Sequence, residues 1–240
     1  MLKSLFRRLG YSLQRINKAE SEEDILFKAL RLGGVGLVID CGANHGQFYH
    51  LCRRSGFTGP IWCIDPNPYC LATLNALAEQ DAALKIIPAG TGDHDALLPL
   101  NSAGALDDLS SFLDQTPLLT SRFKRAEVTE TMEAQVRRLD GLMDEEGLPA
   151  DMRVFLKVDT QGYDLATLEG MGERINQVSG VKAEMSVQAA YEDAPSHWEL
   201  LEFFRTHDFE PFSFTTVTRD FDGRYIEYDA YFLKTPRKGN

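Results

Sequence analysis

Short apolar runs that end at acidic or turn residues recur along the chain and alternate with segments of helical periodicity. An apolar run of about four to eight residues bounded by turn residues is typical of a strand buried on both faces of a parallel sheet. Five such strands are predicted, at residues 35–40, 61–64, 84–88, 154–159 and 181–187. Helices are predicted over 47–54, 69–78, 163–169 and 197–207, and over a shorter segment that ends at Glu146.

Two β-rich runs end the chain, at residues 209–218 and 225–234, and Asp222-Gly223 between them is a hairpin signal. Strands that alternate with helices predict a doubly wound sheet with right-handed crossovers. We therefore predict an α/β, Rossmann-like sheet of seven strands, mostly parallel, with an antiparallel strand in the C-terminal hairpin. This layout resembles the class I fold of methyltransferases that use S-adenosylmethionine (SAM), although a fold does not by itself fix a function.

The segment between residues 90 and 135 has weaker patterning. Residues 107–120 are polar and Ser-rich, so a substrate-side insertion or lid is predicted over about 100–130. Alternation resumes at 134–139. The chain of 240 residues is long enough for one large domain with a small appendage. We assign residues 1–30 to an N-terminal basic helical segment and 31–240 to the catalytic domain.

Charge is distributed unevenly along the chain. The 25 basic and 36 acidic residues give a net charge of −11, which argues against a nucleic-acid partner because such a protein needs a basic surface. Residues 1–19 contain five basic and no acidic residues, with apolar residues at roughly helical spacing. A basic amphipathic helix is predicted there, and it either packs on the catalytic domain or makes peripheral contact with an acidic membrane surface.

The cysteines and the apolar runs bear on location. Four cysteines lie within 30 residues, and none forms a C-x-x-C pair: Cys41, Cys52, Cys63 and Cys70. No run approaches the ~18 apolar residues of a spanning helix, and the first residues lack a secretory cleavage pattern. We expect a cytoplasmic protein whose reduced thiols are small core residues. No feature of the sequence indicates an oligomeric state.

The turn after the first strand is the sharpest local feature. Aligning a dinucleotide-binding G-x-G-x-x-G pattern on Gly42 places Asn44 and Gln47 where glycines are required, so the pattern fails. Asp40, at the strand end, would also repel a pyrophosphate. A carboxylate suits SAM, which has an ammonium group, a sulfonium and a ribose diol but no phosphate. Asp40, Gly42, Asn44 and Gly46 are therefore candidate cofactor-binding residues.

Two further acids follow predicted strands. Asp65 ends the second strand and is positioned to accept hydrogen bonds from both ribose hydroxyls, although acids at this place also occur in dinucleotide binders. Capping of turns and helices is the ordinary alternative for Asp40 and Asp65. Asp93, in the loop after the third strand, is one more candidate for cofactor contact. The triplet 93–95 fits a solvated turn better than a set of metal ligands.

Residues 38–48, VIDCGANHGQF, resemble the first motif of the FkbM family of SAM-dependent methyltransferases. The similarity extends from about residue 35 to 235, and the run LKVDTQGYD at 156–164 is its most specific part. The resemblance implies methyl transfer from SAM to an oxygen, commonly a hydroxyl of a sugar, glycan or polyketide-type product. It leaves the acceptor undefined. The other matching segments are 63–68, 109–113, 136–140, 168–170 and 228–232.

Three residues are candidates for catalysis. Asp159 ends the fourth predicted strand and Glu184 lies in the fifth, and the carboxyl ends of such strands line the ligand crevice. Either acid could take the proton of an acceptor hydroxyl, or Asp159 and a neighbouring acid could hold Mg²⁺. Lys157 points the same way as Asp159 and could pair with it or contact the acceptor. Purely structural roles for Lys157 and Glu184 are equally consistent with the sequence, and no zinc motif occurs.

Two other function classes compete with this hypothesis. An NAD-dependent oxidoreductase would share the architecture, but the missing glycines count against it. A non-catalytic subunit of the same fold, acting as a partner platform, would not need the acids at the strand ends. Tyr191, after the fifth strand, is a weaker candidate for contact with the acceptor.

Overall fold

The structure is a computed structural model, and it describes residues 20–102, 109–122, 127–220 and 222–235. The helix predicted over residues 1–19 lies outside this part of the chain. The strands are β1 Leu37–Cys41, β2 Ile61–Ile64, β3 Leu84–Ile87, β4 Gly90–Thr91, β5 Ala96–Ser102, β6 Glu130–Arg137, β7 Val154–Val158, β8 Val178–Ser186, β9 Phe209–Arg219 and β10 Tyr225–Lys234. The helices are α1 Glu22–Gly33, α2 Gln47–Arg54, α3 Pro68–Ala78, α4 Pro117–Arg122, α5 Leu139–Glu145, α6 Asp164–Glu169 and α7 His197–Thr206, with a 3-10 helix at Gly172–Gln177.

Seven strands form the main sheet in the order β3-β2-β1-β7-β8-β10-β9. Neighbouring strands are parallel from β3 to β8, whereas β10 is antiparallel to both β8 and β9. The predicted fold class is therefore confirmed. The strand order reverses between β1 and β7, and in doubly wound sheets such a switch point opens a ligand crevice at the carboxyl ends of the strands.

A second sheet of three strands, in the order β4-β6-β5, was not predicted. Residues 96–102 were not assigned to any element, and β6 begins at Glu130 rather than at 134. Exposed and partly buried residues alternate along β5 and β6, so neither strand has the continuous apolar run of a strand in the main sheet. Pro99 within β5 weakens the strand signal further, because proline has no backbone N–H to donate to a neighbouring strand.

The central strands of the main sheet, β1, β2 and β7, are buried on both faces. In β1, Leu37 and Ile39 face one apolar cluster and Val38 faces the other, as the period of a strand requires. The second cluster also contains Ile25 and Leu26 of α1. The predicted domain boundary after residue 30 falls within α1, and because α1 buries its apolar face in this cluster, it is part of the same core.

Two observations concern the predictions of reduced core thiols and of no membrane-spanning helix. All four cysteines are buried and free. No helix in the described ranges is both long enough and apolar enough to cross a membrane.

Candidate active site

A cavity of about 620 Å³ lies at the carboxyl ends of β1, β2, β7 and β8. Its volume is within the range of ligand-binding pockets. Its lining includes the turn after β1, the end of β2, the turn between β7 and α6, and residues of β8, β9 and β10. These parts are distant in sequence, and the switch point between β1 and β7 brings them together.

The turn after β1 has left-handed backbone at Gly42, Asn44 and Gly46, with φ angles of 77°, 49° and 86°. A Cβ atom on Gly42 would lie 1.9 Å from the carbonyl oxygen of Asp159, so only glycine fits there. Gly42 and Asn44, both predicted to bind the cofactor, line the cavity. Gly46 does not, because it is buried at the start of α2, where an added Cβ would meet Leu77.

The backbone N–H groups of this turn donate within the protein. They therefore form no cradle of N–H groups for a pyrophosphate, in contrast to dinucleotide-binding turns. The acceptors are Ile64 O for Gly42 and Ala43, Asp65 Oδ2 for Asn44, Gln47 Oε1 for His45, and Ala43 O for Gly46.

Asp65 follows β2 and lines the cavity, although its side chain is almost fully buried. Its Oδ2 accepts the N–H of Asn44 at 2.7 Å and its Oδ1 accepts the N–H of Asn67 at 2.9 Å. Burial raises the pKa of Asp65, and these two hydrogen bonds oppose the rise. A carboxylate oxygen accepts more than one hydrogen bond, so the fixed carboxylate retains the capacity to bind a diol from the cavity side.

Asp40, which was predicted to bind the cofactor, is fully buried and is not among the residues that line the cavity. Its neighbour across the strands is Lys157, because the two residues are partners in the β1–β7 register. The Lys157 Nζ lies 3.2 Å from Asp40 Oδ1 and 3.4 Å from Asp159 Oδ2, and it donates to Gly42 O at 2.6 Å. The lysine therefore links the cofactor turn to the catalytic candidate.

Asp159, Gln161 and Glu184 are joined at the floor of the cavity. The Gln161 Nε2 donates to Asp159 Oδ1 at 2.8 Å and to Glu184 Oε2 at 3.5 Å, while its Oε1 accepts from the Tyr191 hydroxyl at 2.8 Å. Gln161 was not predicted as a site residue. Its backbone is left-handed, with a φ angle of 53°, and residues held in that region cluster at functional sites.

The two acids have opposite pKa shifts. Burial acts to raise the pKa of Asp159, but the charge of Lys157 and the hydrogen bond from Gln161 outweigh it and lower that pKa. For Glu184, burial and then the negative charge of Asp159 raise the pKa well above its usual range. Pairs of acids whose surroundings separate their pKa values are the usual source of an acid or base in an enzyme.

Asp164, the first residue of α6, also lines the cavity and was missed as a site residue. It accepts the backbone N–H and hydroxyl of Thr160 at 2.9 and 3.1 Å, and the N–H of Gly162 at 3.1 Å. Burial raises the pKa of Asp164 to about 6. The position of Asp164 at the end of the run 156–164 was the sequence signal that could have identified it. Its hydrogen bonds hold the turn that follows Asp159.

One side of the cavity, which we call the carboxylate wall, consists of Glu184 and Ser186 of β8, Thr218 of β9 and Glu227 of β10. Lys182, which also lines the cavity, has its Nζ 3.0 Å from Glu22 Oε1 and 3.0 Å from Asp229 Oδ2. Only Glu184 of this wall was predicted. The others come from strand ends that the sequence pattern does not place side by side.

The opposite side of the cavity is formed in part by the Ser-rich segment. Leu109, Ser110 and Phe112 line it together with Tyr191. The Ser111 hydroxyl donates to Gln161 O at 2.7 Å, and the Tyr191 hydroxyl donates to Leu109 O at 3.0 Å. The segment predicted to be a substrate-side insertion thus lies against the site, and the weaker prediction for Tyr191 is consistent with its place in the cavity.

Asp93, which was also predicted to contact the cofactor, is not among the residues that line the cavity. Its side chain is 46% exposed and pairs with His94 in a solvated turn. Among the described residues, no group of three or more histidine, cysteine or acidic side chains is arranged to hold a metal ion. The Mg²⁺ hypothesis therefore has no support from this part of the chain.

The family model of the methyltransferase FkbM domain matches residues 40–211, about seven tenths of the chain. The chain belongs to the FkbM methyltransferase family. The match to FkbM includes the turn after β1 and the residues Asp65, Asp159 and Glu184, and it ends near the start of β9. The family assigns methyltransferase activity to the chain. A comparison with curated proteins finds no match.

Several solved methyltransferase structures are similar to this FkbM chain at low sequence identity. An rRNA methylase from Streptococcus thermophilus has a TM-score of 0.49 and 9% identity, over 93% of this chain and 100% of the other. Precorrin-6y C5,15-methyltransferase from Geobacter metallireducens has a TM-score of 0.47 and 12% sequence identity, over 93% of this chain and 94% of the other. TrmK from M. capricolum, solved with S-adenosylhomocysteine, has a TM-score of 0.42 and 10% sequence identity, over 87% of this chain and 68% of the other.

Proposed function

We propose that this chain is a SAM-dependent O-methyltransferase that methylates a hydroxyl of a sugar, glycan or related natural product. The observation that carries the proposal is the pair Asp159 and Glu184, which face one cavity and have pKa values shifted in opposite directions. Methyl transfer to an alcohol oxygen benefits from removal of the hydroxyl proton, and this pair supplies a base.

The residues at the cofactor end fit SAM better than a dinucleotide. When bound, SAM supplies a methyl group on a sulfonium sulfur. Asp65 lines the cavity with both oxygens fixed by backbone N–H groups, which suits a carboxylate that accepts hydrogen bonds from the ribose hydroxyls. The turn at Gly42 and Asn44 has no free N–H cradle for phosphate, which disfavours the NAD-dependent alternative.

Glu184 is the better candidate for the general base. Lys157 stabilises the ionised form of Asp159, which weakens Asp159 as a proton acceptor. The negative charge of Asp159 in turn disfavours ionisation of Glu184, so Glu184 binds a proton more strongly than an ordinary glutamate. In this scheme Asp159 and Lys157 set the proton affinity of Glu184, and Gln161 holds the two carboxylates in place through its amide.

The test combines cofactor binding with turnover. Calorimetry with S-adenosylhomocysteine establishes cofactor binding, and a panel of hydroxyl acceptors with labelled SAM identifies an acceptor. With that acceptor, Glu184→Gln should lower turnover by about 10²–10⁴-fold and leave cofactor affinity unchanged. Asp159→Asn should shift the rise of turnover with pH to lower pH, because Glu184 then loses its neighbouring negative charge.

Glu173→Gln is the matched control, because Glu173 is exposed on the 3-10 helix away from the cavity. Its turnover should equal that of the original chain. Activity that falls on chelation and returns with Mg²⁺ would favour the metal hypothesis instead. Failure to bind S-adenosylhomocysteine would contradict the proposal and favour a non-catalytic subunit, whereas full activity of Glu184→Gln would exclude Glu184 as the base.

A further inference from the structure

We propose that the carboxylate wall is the acceptor subsite, and that it binds polyhydroxyl acceptors without negative charge and rejects anionic ones, with Glu227 as a residue that binds the acceptor. The inference rests on the proposed function. It adds a class of substrate and a binding residue that lies beyond the matched family region, which ends at residue 211.

The strand register gives the wall its form. In the β8–β10 pairing, Ser186 is opposite Glu227 and Glu184 is opposite Asp229. Paired residues in a sheet project to the same face, and alternate residues of one strand share a face, so Glu184, Ser186 and Glu227 face the cavity together. The wall thus presents carboxylate and hydroxyl groups to one ligand.

A β-bulge lies at Glu227. The β9–β10 register shifts on both sides of the pair Glu227 and Thr218, while it is regular from Tyr228 to Tyr231. Bulges redirect side chains and are common beside active sites. The Thr218 hydroxyl donates to Glu227 Oε1 at 2.7 Å and so orients the carboxylate at the cavity. The bulge therefore interrupts the regular β9–β10 hydrogen bonding at the residue whose carboxylate lines the cavity.

The charges of the cavity favour one class of acceptor. Among the described residues that line it, six are acidic and three are basic, and the two lysines each face two carboxylates. The negative charges of Asp159, Glu227 and Asp164 all raise the pKa of Glu184, after burial. This shows that the wall lies in a negative field.

An anionic acceptor in that field would meet like charges in a partly desolvated site, which disfavours its binding. Hydroxyl and ammonium groups are hydrogen-bond donors, and carboxylates accept such bonds strongly. The same wall therefore attracts a polyol and repels an acid. Such discrimination by an unfavourable contact is a common source of specificity.

The experiment uses three probes that differ mainly in charge: methyl glucoside, methyl glucosaminide and methyl glucuronide. Their affinities for the full chain saturated with S-adenosylhomocysteine are measured by ligand-observed NMR. The neutral and amino probes should bind at least about ten-fold more tightly than the glucuronide, a difference of about 1.4 kcal/mol. Glu227→Gln should reduce this preference at least about three-fold, whereas Asp222→Asn, at the exposed hairpin turn, should leave it unchanged.

Each other result contradicts the inference in a distinguishable way. Equal affinity for glucuronide and glucoside, or binding of no probe to a protein that binds S-adenosylhomocysteine, overturns the assignment of the wall but not the proposed activity. An unchanged preference in a folded Glu227→Gln variant overturns the role of Glu227. A chain that does not bind S-adenosylhomocysteine contradicts the proposed function and this inference with it. Circular dichroism and thermal unfolding verify that each variant is folded.

Discussion

Replacing Lys157 by methionine tests the charge network under the cofactor turn. The lysine is the ion-pair partner of Asp40, which is completely buried, and of Asp159, whose side chain is 34% exposed. Methionine keeps most of the volume and removes the charge. Removing one partner of a buried pair leaves an uncompensated charge and typically costs about 3–5 kcal/mol. We expect a loss of that size in the free energy of unfolding, mostly from Asp40, because the Asp159 side chain is partly exposed.

The loss should depend on pH. Burial raises the pKa of Asp40 even beside Lys157, and removal of the lysine charge raises it further. A carboxyl whose folded pKa exceeds its unfolded value, about 3.9, stabilises the fold at low pH, and this contribution is lost as pH rises through the folded pKa. The folded pKa of Asp40 is higher in the variant than in the original chain. The difference in the free energy of unfolding between the original chain and Lys157→Met should therefore be large at pH 7.5 and small at pH 5.

Urea unfolding followed by circular dichroism at pH 7.5 and pH 5 measures both effects. Lys28→Met is the control, since Lys28 pairs with Glu20 at the surface and its loss should change stability by less than about 0.5 kcal/mol. Adding Asp40→Asn to Lys157→Met should recover part of the loss. A loss below about 1 kcal/mol at pH 7.5, or the same loss at both pH values, would refute the view that Lys157 neutralises a buried Asp40.

Two further predictions concern the cofactor and the first residues of the chain. Asp65→Ala should weaken S-adenosylhomocysteine binding by about 1.5–3 kcal/mol in calorimetry, the range for hydrogen bonds to a charged group, and unchanged affinity would exclude Asp65 as the ribose ligand. Deletion of residues 1–19 should leave that affinity largely intact and reduce sedimentation with anionic vesicles, because the deleted segment carries five basic residues. A folded truncation that no longer binds the cofactor would contradict this.

The main sheet was predictable because its strands are buried on both faces. Strands β1, β2, β3 and β7 are short and mostly apolar, with turn residues on either side, and each predicted segment lies within two residues of the observed ends. The small sheet lacks this signal, since β5 and β6 are partly exposed. Their pairing depends on contacts between residues 96–102 and 130–136, which no local pattern records.

The sequence predicts which residues lie at the candidate site better than it predicts what each residue does there. Asp65, Lys157, Asp159 and Glu184 follow from the rule that strand ends meet at one edge, and the structure places all four on one cavity. Asp40 obeys the same rule, but it is fully buried and pairs with Lys157 on the neighbouring strand instead of lining the cavity. Whether a neighbouring side chain buries a strand-end residue is not revealed by its sequence position alone.

Glu227 was missed for a different reason. It belongs to an alternating strand that was predicted, but its place in the cavity depends on the order of β8, β10 and β9 and on a bulge in the last pairing. The same topology underlies the different roles that we propose for Asp159 and Glu184. Lys157 is opposite Asp40 on β1 and two residues before Asp159, so its charge acts on those two acids, while Glu184, one strand further from β1, is next to the negative charge of Asp159. The order of the strands therefore shifts the pKa values of Asp159 and Glu184 in opposite directions, and the different roles proposed for the two acids rest on this difference.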